Sequence, residues 1–199
     1  MMNSFKFSLV HFFGFIFASF ILTEVHADSS NQDLMSQGLW QDSKTELVWM
    51  RCSLGQTWNG KTCIGKGIKY KWKDAFKAVE TLNRQGFAGY HDWRLPDVEE
   101  LTSIRYCSKG FESIRNIPAQ SGEEKSVQEY CKGKNYQSPT INLNIFPNTA
   151  HDSYWSSSPS ENYLSGNKAW DVNFKYGYPN DYYPNDTSYV RAVRDAQNK

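Results

Sequence analysis

Hydrophobic and polar positions alternate with several different periods along this chain, and each period predicts an element. Phe7 to Leu22 is an unbroken apolar run, FSLVHFFGFIFASFIL, preceded by Lys6 and followed by Val25-His26-Ala27. That order of charge, short apolar stretch and small residue predicts a secretory signal peptide over 1–27. The run is short for a membrane-spanning helix. Residues 28–37 are polar and read as a flexible arm. Leu39-Trp40 and Leu47-Val48-Trp49 predict two short strands around a turn at residues 42–45. In WKDAFKAVETLNRQG, Ala75, Phe76, Val79 and Leu82 recur at helical spacing, and Gly86 supplies a stop. These place a helix at about 73–85. A second helix is expected at about 97–105, entered at Pro96-Asp97, with Asp97 and Glu100 spaced as a capping box and Val98, Leu101 and Ile104 as its apolar stripe.

Residues 107–137 have no clear period and read as an insertion. Tyr154 to Ser158 predicts a short strand. From Ala169 to Lys175 the pattern alternates, with Trp170, Val172 and Phe174 on one face and Asp171, Asn173 and Lys175 on the other. A turn-rich tract, YGYPNDYYPND, precedes a last strand at Tyr189 to Arg194, and residues 195–199 form a tail. Early helices, strands at both ends and long late loops give an α+β class, with two helices on small antiparallel sheets.

Composition sharpens this picture at three points. The chain carries 22 Lys+Arg against 21 Asp+Glu, so a globally basic nucleic-acid binder is not indicated. The four cysteines, Cys52, Cys63, Cys107 and Cys131, all follow the export segment. In an oxidising compartment they predict two disulfides, and the local pairs Cys52–Cys63 and Cys107–Cys131 each close a loop rich in Gly, Lys and Ser. Zinc is disfavoured by spacing, since no C-x-x-C occurs and only His91 and His151 remain after the signal. Localisation is therefore expected to be periplasmic or extracellular, with no membrane span once the signal is removed.

The series LVWMRCSLGQTWNGKTC, YKWKDAFKAVETLN, GYHDWRLPDVEEL, NIFPNT, SYWSSSP, AWDVNFKYG and YVRAVR resembles, in that order, the Lcl C-terminal-like domain family. The family is named for the C-terminal domain of a bacterial collagen-like adhesin, and the resemblance spans 38–194. It implies a C-type-lectin-like fold, related to the branch that includes formylglycine-generating enzymes. Its termini pair in one sheet and its long loops form a ligand face. The adhesin's domain binds sulfated polysaccharides. The resemblance therefore implies a non-catalytic binding module for polysaccharide, anionic or sulfated glycans included. The alternative is a module for a cell-surface or envelope protein partner.

Two surfaces are candidates. Lys61, Lys66, Lys69, Lys71 and Lys73 form a basic run, of which Lys66, Lys69 and Lys71 are the candidate patch for sulfate or carboxylate groups, although a solvated strand edge explains the same lysines. Tyr178, Asn180, Tyr182, Tyr183 and Asn185 lie in the late loops, where Tyr supplies rigid contact area and Asn adaptable hydrogen bonds. No cofactor is expected. Asn180, Asp181, Asn185 and Asp186 offer oxygen atoms that suit calcium, but turn formation explains the same residues. Trp93, Leu95 and Trp155 read as core. Arg94, Arg191 and Arg194 are expected to pair with acids at the second helix start. An enzyme is disfavoured. The cysteines are expected to be oxidised, no nucleophile motif flanks His91 or His151, and no cysteine follows Cys131 to match the pair used by formylglycine-generating enzymes.

Overall fold

The computed structural model describes residues 31–114, 128–160 and 168–196. The expected signal segment, 1–27, lies outside the described residues. Among the described residues, twelve short strands and a few short helices give a mixed α+β architecture. Strands β1 (Leu39–Asp42) and β2 (Leu47–Met50) form the expected hairpin, with Glu46 in a left-handed turn conformation. Strands β3 (Thr57–Trp58) and β4 (Cys63–Ile64) form a second one, whose turn is closed by Asn59 Oδ1 accepting from the Lys61 and Thr62 amides. Strand β5 (Lys69–Lys71) leads straight into the longest helix.

The arm expected at 28–37 is not loose where it is described. Residues 31–36 are helical (α1), Leu34 packs on the core, and Asn31 exchanges two hydrogen bonds with the backbone of Gln41. One apolar anchor and one amide suffice to dock a segment whose composition is otherwise that of a linker. Helix α2 (Trp72–Gln85) ends at Gly86, which adopts the left-handed conformation that a residue with a Cβ enters only at a cost. Its buried stripe is Ala75, Val79 and Leu82. Phe76 does not belong to that stripe. It is 37% exposed and stands edge-on to Trp72 at 5.3 Å, one position round the helix from the sheet. Helix α3 (Val98–Ser103) carries the full capping box: Asp97 accepts from the Glu100 amide at 2.7 Å, and Glu100 accepts from the Asp97 amide at 2.8 Å.

The stretch without a pattern contains a hairpin, β6 (Phe111–Ile114) with β7 (Gln128–Cys131). Its strands are short and its pairing is non-local, which leaves little periodic signal in sequence. The later strands are β8 (Ser153–Ser160), β9 (Lys168–Asn173), β10 (Tyr178–Tyr182), β11 (Thr187–Tyr189) and β12 (Val193–Asp195). They form a five-stranded sheet of order β10-β9-β8-β11-β5, antiparallel except for β8 with β11. A three-stranded sheet of order β1-β2-β12 joins the two ends of the domain. The single last strand expected at 189–194 is thus divided between two sheets.

Between the two strands lies Arg191, which is fully buried. Its guanidinium donates to the carbonyls of Met50 and Arg51 and to Thr149 Oγ1, and it lies over the rings of Phe146 and Tyr154. The expected pairing of Arg191 with a helix-start acid is therefore wrong. Backbone carbonyls and ring faces replace the carboxylate, and burial lowers the guanidinium pKa. Arg94 does pair with Glu100, at 2.7 and 2.8 Å, and also with Asp195. Arg194 instead forks onto Asp92, at 2.7 and 2.9 Å, beneath the Tyr90 ring.

Two cores flank the sheets. One gathers Leu39, Val48, Ala75, Val79, Trp93 and Trp155 under α2; the other gathers Trp49, Leu101, Phe146, Tyr154, Val172 and Phe174 beside α3. Both disulfides join the local pairs, Cys52–Cys63 and Cys107–Cys131. Crosslinks of this length each stabilise a fold by about 2–4 kcal/mol, and they accord with an oxidising compartment. Among the described residues no helix is long and apolar enough to cross a membrane.

Candidate functional site

Two clefts collect the polar and aromatic side chains that the loops present. The first opens where β5 becomes α2. Lys71 closes the strand, and the Trp72 amide donates to the carbonyl of Pro184 at 3.1 Å, which fastens the late loop to the start of the helix. Trp72 Nε1 donates to the carbonyl of Ser156 at 2.8 Å. These two bonds set Lys71, Lys73, Lys77, Lys168, Ser160 and Asn185 around a cleft of about 590 Å3. No side chain caps the N-terminus of α2. The Pro184 carbonyl takes the first amide, and Asp74, in the first turn, lines the same cleft and offsets the positive charge of the helix start.

The charges here are unequally engaged. Lys77 is paired with Asp74 at 2.9 Å, and Lys168 with Asp181 at 3.1 Å. Lys71 and Lys73 are exposed and have no ion-pair partner among the described residues. Tyr183, which precedes the lining residue Pro184, is 56% exposed, with the Lys168 ammonium 5.4 Å from its ring centre. The cleft thus offers two ammonium groups that no described carboxylate engages, near an exposed tyrosine.

The second cleft, of about 600 Å3, lies where β7 packs against β10. Tyr130, Tyr136, Tyr176, Tyr178 and Asn180 line it, with Cys131 behind them. The rings of Tyr176 and Tyr178 stack 5.9 Å apart and 13° from parallel. Gly177 makes this arrangement possible. Its φ is +74°, and a Cβ there would meet Cys131 Sγ at 2.5 Å, so only glycine lets the chain turn against the disulfide. Arg105 then clamps the Gly177 carbonyl at 2.6 Å. Tyr130 donates to Glu112 at 2.5 Å, and that acceptor raises the phenol pKa.

The sequence-predicted residues divide between these places. Lys71, Lys73 and Asn185 share the lysine cleft with Lys77 and Lys168, which the sequence did not single out. Lys69 is spent elsewhere: its ammonium pairs with Asp152 at 2.5 Å and lies 5.2 Å from the Tyr189 ring centre. Lys66 is exposed in the loop after β4 and lines neither cleft. Tyr178 and Asn180 belong to the tyrosine cleft, and Tyr182 lines neither. Tyr130 and Tyr136, in the unpatterned insertion, had no signal beyond residue type.

The candidate calcium oxygens diverge. Asn180 and Asn185 face different clefts, and Asp181 accepts from Ser160 Oγ and Lys168 Nζ. Among the described residues no group of three His, Cys, Asp or Glu side chains is placed to hold a metal.

The two histidines engage local partners. His91 Nδ1 lies 2.6 Å from the carbonyl of Asn83. His151 Nδ1 lies 3.2 Å from Ser138 Oγ, and the same hydroxyl lies 3.2 Å from the carbonyl of Lys175.

Asp171 is the least expected group. Alternation along β9 puts it opposite Val172, yet it is fully buried, as the other face is covered too. Oδ2 accepts from Ser188 Oγ at 3.3 Å, while Oδ1 has no hydrogen-bond partner. Burial pushes its pKa up to about 7, against the opposing hydrogen bonds of Ser153 and Ser188, with Asp152 and Asp181 adding to the rise.

The sequence profile of the Lcl C-terminal domain matches residues 38–194. No curated protein matches the chain.

Proposed function

The chain belongs to the Lcl C-terminal domain family, and from that premise we propose that it is an exported, non-catalytic module that binds anionic polysaccharide in the lysine cleft. The observation that carries this reading is the pair of ammonium groups, Lys71 and Lys73, that have no ion-pair partner among the described residues, at the start of α2 near the exposed Tyr183. Sulfate or carboxylate groups on a glycan would take the lysines, while a sugar ring would lie against Tyr183.

Further support comes from the resemblance to the sulfated-glycan-binding domain of the collagen-like adhesin. The joining of the two chain ends through β12 and β2 suits the C-type-lectin-like fold expected for that family. Export fits the apolar N-terminal run and the two disulfides. No cofactor enters this mechanism: binding consists of ion pairing, which salt screens, and stacking, which salt spares.

The test is retention on immobilised heparin at low and physiological salt. Wild type, Lys71→Ala/Lys73→Ala and Lys66→Ala/Lys69→Ala are compared. Retention that falls with salt and is lost in the first pair alone supports the proposal. Absence of retention at low salt transfers the module to the protein-partner reading. Equal loss in both pairs would mean diffuse charge rather than a site.

A further inference from the structure

We infer that the tyrosine cleft is a second binding site, built to take an uncharged pyranose ring by stacking and neutral hydrogen bonds. It shares no lining residue with the lysine cleft and does not rest on the anionic reading.

Three features of the cleft point to this ligand class. First, none of its lining side chains among the described residues is charged. Two charges beside it are engaged: Glu112 accepts from Tyr130, and Lys175 lies against the Tyr176 ring with its ammonium 5.0 Å from the ring centre. An ionic ligand would therefore lose its hydration without a counter-charge.

Second, the walls are flat aromatic faces held in place before any ligand arrives. Tyr178 sits in the β10–β9 ladder opposite Asn173, Tyr130 pairs with Glu112 in the β6–β7 ladder, and the Arg105–Gly177 bond fixes the corner between Tyr176 and Tyr178. A pyranose presents a C–H face of matching flatness, and rigid walls reduce the ordering lost on binding.

Third, polar atoms stand unused beside those faces. Neither the Tyr136 nor the Tyr178 hydroxyl hydrogen-bonds to another described residue, and Asn180 engages its Oδ1 with the Asp181 amide while Nδ2 makes no such bond. Ring faces flanked by neutral donors and acceptors are what a sugar's alternating C–H and O–H surface requires. A purely apolar ligand would leave the Tyr136 and Tyr178 hydroxyls and Asn180 Nδ2 unpaired. The volume of about 600 Å3 lies within the range of small-ligand sites and suits one or two sugar rings.

The experiment is saturation-transfer NMR with four neutral probes: cellotetraose, maltotetraose, mannotetraose and lactose. A proline-rich peptide serves as a competing class that also docks on aromatic grooves. The expected result is saturable, salt-insensitive binding of at least one saccharide. Tyr178→Ala should weaken it about tenfold or more, Tyr178→Phe should keep most of it, and Lys71→Ala/Lys73→Ala should leave it unchanged. If Tyr178→Ala melts early, Tyr136→Ala on the opposite wall makes the same comparison. Binding by none of the saccharides, binding of the peptide alone, or saccharide binding that survives both alanine variants overturns the inference. Loss of heparin retention bears only on the lysine cleft, so the two readings fail independently.

Discussion

Replacing Asp171 with Asn isolates the energetics of the most deeply placed carboxyl. In the folded protein its pKa rises from 3.8 to about 7, chiefly because burial strips its hydration. The native state therefore holds a proton, between pH 4 and 7, that the unfolded chain releases. Stability must fall as pH rises through that window and stay low above it, because the native state binds more protons there. The full difference corresponds to about 4 kcal/mol, and relaxation around the charge reduces this to roughly 2–4 kcal/mol. Asn has the same shape and no charge. Its carbonyl can accept from Ser188, while its amide takes the place of the unpartnered Oδ1 at a pH-independent cost of about 1 kcal/mol. Asp171→Asn should thus be slightly less stable than wild type at pH 4 and more stable at pH 8. Urea unfolding of both proteins across that range, disulfides intact, measures the difference, and subtraction cancels the histidines and other groups that titrate in both. A difference that stays flat with pH, or that favours wild type at pH 8, refutes the reasoning.

Two further substitutions test how the fold is held. Arg191→Lys keeps the charge but loses the fork that reaches the Met50 and Arg51 carbonyls and Thr149 at once; a loss of about 3 kcal/mol in chemical denaturation is expected, and a change near zero would show that the buried guanidinium does not organise the junction of the two sheets. Gly177→Ala places a Cβ against Cys131 Sγ at a positive φ, so it should cost about 1–3 kcal/mol and shift the NMR signals of Tyr176 and Tyr178 while sparing the lysine cleft; wild-type stability and spectra would contradict the role given to that glycine.

Local chemistry made part of this fold legible in sequence. Asp97 and Glu100 announced the capping box, Gly86 the helix stop, and the alternating residues 169–175 a strand, because each signal depends only on neighbours. What stayed hidden depends on distant packing. Alternation shows that Asp171 faces away from Val172, but not that the second face of the sheet is also covered. Arg191 looked like an ion-pair residue because the carbonyls and rings that receive it come from residues 50–51, 146, 149 and 154. The lysine patch was half legible. Lys71 reached the cleft, but Lys69 was claimed by Asp152 across the chain, and Lys73 joined the cleft because α2 begins at Trp72. Tyr130 and Tyr136 became site residues only through the pairing of β6 with β7 and the packing of β7 on β10.

The central claim is that anionic polysaccharide binds at the start of α2, and calorimetric titration with a size-defined sulfated tetrasaccharide at several salt concentrations tests it most directly. Exposed charge contacts are worth up to about 1 kcal/mol each, so Lys71→Ala/Lys73→Ala should weaken binding by about tenfold to thirtyfold at low salt and flatten its salt dependence. Wild-type affinity and salt dependence in that variant, with the fold intact, would contradict the account.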